Sequence, residues 1–122
     1  MDASFASIEA VERACLVKPG AFLDRPFGPE TLVYKVAGRI FALVASRATP
    51  LQVSLKCDPE LAVALRSSYP AITAGYHLNK RHWNTVRLDG SVPESTVREL
   101  IDLSYDLVVA RLPAAARRSL AL

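Results

Sequence analysis

Leu51-Gln52-Val53-Ser54-Leu55-Lys56-Cys57 alternates apolar and polar residues without a break. A period of two predicts a half-buried strand, with Leu51, Val53, Leu55 and Cys57 on a core and Gln52, Ser54 and Lys56 on a polar outer face. Upstream, Thr31–Val36 and Arg39–Ala45 are β-rich runs separated by Ala37-Gly38. That is a hairpin signal, in which Gly38 supplies the positive φ of a tight turn. Downstream, residues 73–78 and 83–88 make two further strands around Asn79-Lys80-Arg81-His82. In the second of these, Val86 and Leu88 share one face and Trp83, Thr85 and Arg87 the other.

Helical patterns enclose these strands. Residues 4–17 place Phe5, Ile8, Val11 and Cys15 at helical spacing behind Ser4 as a cap, and Pro19-Gly20 ends the run. Residues 21–30, with Pro26, Gly28 and Pro29, read as an irregular connection. Asp58-Pro59-Glu60 opens a short helix, with Asp58 as cap, Pro59 at the first position, and Leu61, Leu65 and Tyr69 along one side up to Pro70. Ser91 and Glu94 form a capping box for a long helix that runs to Leu112 and buries Val97, Leu100, Ile101, Leu107 and Val108. Pro113 breaks it, and the tail through Arg117-Arg118 is a short helix or a frayed end. The expectation is an α+β fold. Residues 31–57 and 73–88 build one antiparallel sheet, the N- and C-terminal helices pack on one face, and the other face stays open.

The 122 residues, 51% hydrophobic and 22% charged, suit one domain over 1–122 with a single core rather than disorder. Cys15 and Cys57 share no CxxC spacing and read as buried thiols, not a disulfide. With no apolar run near the ~20 residues of a membrane span and no basic leader before an apolar stretch, a cytoplasmic protein is expected. The formal net charge is only +3, but its layout is uneven. Residues 31–88 hold eight cations against Asp58 and Glu60, an excess of six, whereas both flanks are slightly acidic. That layout points either to a one-sided cationic surface or to cations scattered over both faces of the sheet.

The block from Gly75 to Gly90 contains the one tryptophan and both histidines. Lys80 and Arg81 sit at a turn, where long cations reach phosphates. Arg87 adds a further phosphate contact, and Lys35, Arg39 and Lys56 on neighbouring strands extend the patch. Trp83 either offers a stacking surface or packs against Tyr76. His77 and His82 lack the HxxxH spacing and a third ligand, so no metal is expected, and a hydrogen-bonded structural role fits better. No zinc finger, helix-turn-helix, P-loop, GxGxxG or GxSxG pattern occurs, so neither base-specific readout nor catalysis nor a cofactor is expected.

Four stretches carry a family resemblance: Phe27-Gly-Pro-Glu-Thr-Leu-Val-Tyr-Lys-Val36, Leu55-Lys-Cys-Asp-Pro59, Gly75-Tyr-His-Leu-Asn-Lys-Arg-His-Trp-Asn-Thr-Val86 and Tyr105-Asp-Leu-Val-Val109. Together they resemble the MmcQ/YjbR family over nearly the whole chain. The resemblance implies a small bacterial protein with a frataxin-like (CyaY-like) fold and a double-wing sheet surface that binds DNA. Frataxins carry an acidic ridge on the first helix. Here that region offers only Asp2, Glu9 and Glu12 beside Arg13 and Lys18, too sparse an oxygen cluster for a hard cation. The expected protein is therefore a non-enzymatic monomer that binds DNA weakly and through its phosphates. The alternatives are a protein–protein adaptor using the same aromatic and polar face, or a small-molecule binder around His77, Asn79 and His82.

Overall fold

The computed structural model describes residues 7–75 and 78–120. In chain order the elements are α1 (Ile8–Leu16), β1 (Ala21–Asp24), β2 (Thr31–Val36), β3 (Arg39–Ala45), β4 (Gln52–Lys56), α2 (Pro59–Ser68), β5 (Ile72–Ala74), β6 (Trp83–Arg87), α3 (Glu94–Ala110) and α4 (Ala114–Ser119). The described strands form one six-stranded sheet in the order β1-β2-β3-β4-β6-β5, and every pairing is antiparallel.

Local chemistry explains most boundaries. The β2–β3 hairpin pairs Val36 with Arg39, so only Ala37 and Gly38 turn the chain. Both have positive φ, 50° and 80°, the pattern whose twist matches that of the strands it joins. Asp58 caps α2 by accepting from the Glu60 amide, with Pro59 at the first position, as its sequence predicts. Gly75 is required for a different reason. Its amide donates to the Trp83 carbonyl at 2.8 Å, and a Cβ there would lie 2.8 Å from Trp83 Cβ.

Several expectations are corrected. Ser4 and Phe5 lie outside the described residues, and the described α1 is capped by Ser7, which accepts from the Ala10 amide. Residues 21–24 are not irregular: they form edge strand β1 on β2, a segment too short to show a period. In α2 the buried residue is Ala62, while Leu61 points outward. Of the expected strand over residues 73–78, the described part is the short segment β5, which starts at Ile72 and stops at Ala74, while residues 76 and 77 lie outside the described residues. The capping box of α3 does not form, because α3 has no side-chain cap. Ser91 instead gives both its hydroxyl and its amide to the Asp89 carboxylate, at 2.6 and 2.9 Å, and Glu94 pairs with Arg98. The α3 face adds Ser104 and Tyr105 to the expected Val97, Ile101 and Val108, whereas Leu100 and Leu107 are only partly buried. The tail forms α4.

One core lies between the sheet and helices α1 and α3. Val11 and Cys15 of α1 and Val97, Ile101, Tyr105 and Val108 of α3 meet Tyr34, Val36, Phe41, Val44, Val53 and Val86 of the sheet. Phe41 and Tyr105 stack edge-to-face at 5.3 Å. Both helices thus cover the same sheet face, while α2 packs beside β5 and β6. Burial raises the Cys15 thiol, with help from Glu12, to about 12, so it is a core hydrophobe rather than a nucleophile. No helix of the described residues is long and apolar enough to cross a membrane.

Candidate nucleic-acid interface

Register fixes what the open face displays. Opposite residues in an antiparallel pair share a face, so Lys56 stands beside Trp83, Ser54 beside Thr85, and Gln52 beside Arg87. Leu43 lies next to Ser54 on one side and Val33 on the other. The polar outer face expected of β4 is therefore the open face of the sheet.

The structure divides the expected cations into paired and unpaired ones among the described residues. Lys35 reaches Asp24 at 2.8 Å, and this contact, followed by the Arg25 amide, holds the Asp24 carboxyl below its ordinary range. Arg87 is paired with Asp89 at 3.1 Å and sits at the far end of β6 from Trp83, about 13 Å away at strand rise. The Lys80 ammonium is held by the Gly75 carbonyl at 3.2 Å. Arg47 pairs with Glu30. Proximity in sequence had grouped these cations; the structure sets Lys35 and Arg87 each against a carboxylate.

What is left converges at one end of the sheet. Arg39 opens β3, Lys56 closes β4, Arg81 precedes β6, and Arg111 follows α3. None of these four has a hydrogen-bonded or ion-paired carboxylate among the described residues. Lys56 registers the crowding: burial, then Arg111, then Arg39, lowers its pKa. Arg81 is carried on a braced turn. The His82 amide donates to Asn79 O at 3.2 Å and the Cys57 amide to His82 O at 2.7 Å. The Arg81 amide donates to Asn79 Oδ1 at 2.9 Å. Arg66 of α2 donates to Lys80 O at 3.1 Å and to Asn84 Oδ1 at 2.8 Å, and the Asn84 amide returns to Ala62 O. A turn fixed at this many points holds Arg81 at low entropic cost.

Arg111 was missed in the sequence, where it is only a cation behind a helix. Its place beside Lys56 comes from the packing of α3 on β3 and β4. Trp83 is half-buried beside Lys56; its alternative partner Tyr76, like His77, lies outside the described residues. Asn79 and His82 serve the turn through their backbone and amide groups. No cluster of three or more His, Cys, Asp or Glu able to hold a metal occurs among the described residues.

Two helices behind an antiparallel sheet, with cations at one end of it that have no carboxylate partner among the described residues, define a small α+β domain of the open-faced kind. Comparison with known proteins narrows the class. The YjbR family model matches residues 16–107, and the chain belongs to the YjbR family. It is 39% identical to YjbR of Escherichia coli K12 over 114 residues, 93% of this chain and 97% of that protein. It is 40% identical to YbdF of Escherichia coli O157:H7 over 102 residues, 83% of each chain. A crystal structure of Deinococcus radiodurans protein DR2400 is similar in fold, with a TM-score of 0.91 and 41% identity, covering 96% of this chain and 89% of that one. A crystal structure from Pseudomonas syringae aligns with a TM-score of 0.71 and 26% identity, over 83% of this chain and 97% of that one.

Proposed function

We propose that this protein binds DNA weakly and without catalysis, gripping phosphates with the cations at the end of its sheet. The observation that carries the reading is Lys56 crowded by Arg111 and Arg39 at the end of the sheet where Arg81 leads into β6, none of the four with a carboxylate partner among the described residues, while Lys35 and Arg87 are each paired. Unpaired guanidinium and ammonium groups on a braced frame favour phosphate oxygens. Trp83 beside Lys56 adds a flat apolar surface for an unstacked base or sugar. The same reading takes the architecture as frataxin-like, with α1 and α3 on one face and a double-wing sheet surface on the other. It takes the protein as a monomer of the cytoplasm, in keeping with two free, buried thiols.

The test is a titration of duplex DNA at several salt concentrations. Each phosphate contact contributes about 0.9 to the slope of log affinity against log salt. Binding should weaken steeply with salt and be similar on unrelated sequences, because phosphates carry no base identity. Salt-independent binding, or none at low salt, removes the reading and favours a protein partner on the same face.

A further inference from the structure

We propose that the cleft on the open face of the sheet is a binding site for a small amphipathic anion, its apolar body over Leu43 and its charged group on Lys56. The cleft holds about 460 Å³, inside the ~300–1,000 Å³ range of small-molecule sites. Leu43, Ser54 and Thr85 form its floor, Phe27 and Leu78 its walls, and Gln52 lies toward one end. Phe27, just ahead of β2, is 63% exposed and gives the cleft an apolar wall.

Polarity within the cleft is sparse and placed. Ser54 and Thr85 share a hydrogen bond at 2.8 Å across β4 and β6, and the Ser54 hydroxyl keeps capacity for a ligand. No charged side chain occurs among the described residues that line the cleft, so its interior suits a neutral, largely apolar body. The two ends differ. Beside Gln52, across the strand pair, is Arg87, already paired with Asp89. Beyond Ser54, one side-chain step along the same face and about 7 Å away, is Lys56, which has no carboxylate partner among the described residues. Arg39 and Arg111 stand close behind it. An uncharged floor with an unneutralised cation at one end is complementary to a carboxylate, sulfonate or phosphate on an apolar body. The site differs from the DNA reading in its ligand and its apolar floor, but it lies on the same sheet face and shares Lys56, with Arg39 and Arg111 behind it.

The experiment uses the full chain and two fluorescent probes with one aromatic body. 1-Anilinonaphthalene-8-sulfonate carries the anion, and N-phenyl-1-naphthylamine lacks it. The sulfonate should bind saturably at one site. Lys56→Met should weaken it about tenfold, the loss of one charge-assisted hydrogen bond, while leaving the neutral probe within about twofold. Ser54→Phe, which fills the floor, should abolish both. In the unaltered protein, amide NMR shifts on adding the sulfonate should centre on Leu43, Ser54, Leu78 and Thr85, a readout that needs no variant to fold. Sodium sulfate in excess should not displace the neutral probe, which separates the cleft from a bare anion site. Shifts centred on α2 or elsewhere, non-saturable binding, or an unchanged sulfonate affinity in Lys56→Met overturns the proposal.

Discussion

The hydroxyl of Ser104 donates to the main-chain carbonyl of Phe41 at 2.6 Å, across 63 residues of sequence. It also accepts from the Lys56 amide at 2.8 Å. The β3–β4 ladder stops at Ala42 and Leu55, and β3 carries an extra residue at the bulge opposite Tyr34 and Lys35. A helix side chain thus supplies the next rung and fixes the end of β4 where Lys56 emerges. Ser104→Ala leaves a part-buried donor and a buried acceptor unpaired. At ~1–3 kcal/mol for each such group, the loss should be about 2 kcal/mol or more. Urea unfolding measures it as a lower midpoint at unchanged slope; a loss under half that size would mean that other groups replace the rung.

Tyr34 predicts the opposite sign. Its ring is fully buried, and its hydroxyl has no hydrogen-bond partner among the described residues. Burial, with Glu12 adding to it, pushes the phenol well above its ordinary range. Tyr34→Phe removes a desolvated polar atom and leaves the ring, so stability should be unchanged or rise by up to about 1 kcal/mol. A clear fall in the thermal midpoint would show that the hydroxyl is bonded in solution.

Acid should weaken the fold in a defined window. The Ser91 hydroxyl and amide, then Arg87, hold the Asp89 carboxyl at about 2, against an ordinary 3.8. Asp24 is shifted the same way, first by Lys35. A depressed folded pKa means that the unfolded chain binds more protons, so this stabilisation is complete above the ordinary value and is lost as pH falls toward about 2. Stability should therefore decline from about pH 4 downward. Ser91→Ala should raise the Asp89 midpoint in a carboxyl NMR titration, and an unmoved midpoint would assign the shift to another cause.

Pairing decides which cations contribute to DNA affinity. Replacing Arg39 and Arg111 together by Gln should flatten the salt slope by about two units, at ~0.9 per contact. Arg87→Gln should leave it nearly unchanged, because Asp89 already neutralises that charge. Equal effects from the two changes would return the interface to the whole sheet face.

Sequence alone determined the elements whose signals are local. The alternation of β4, the two-residue hairpin at Ala37-Gly38 and the Asp58-Pro59 start of α2 each rest on side-chain period or backbone chemistry that neighbouring residues settle. The family was legible for the same reason, in contiguous blocks. Tertiary structure decided the rest. Strand β1 has no period of its own and exists because β2 offers it an edge. Ser91 turned from cap to Asp89 partner because a nearby carboxylate outcompeted the helix amides. Sequence counted eight cations between residues 31 and 88 but not their neutralisation, since Lys35–Asp24 and Arg87–Asp89 are matters of geometry. Arg111 joined Lys56 only when α3 crossed the sheet. A charge is a property of a residue; whether it is free to meet a ligand depends on what the fold sets beside it.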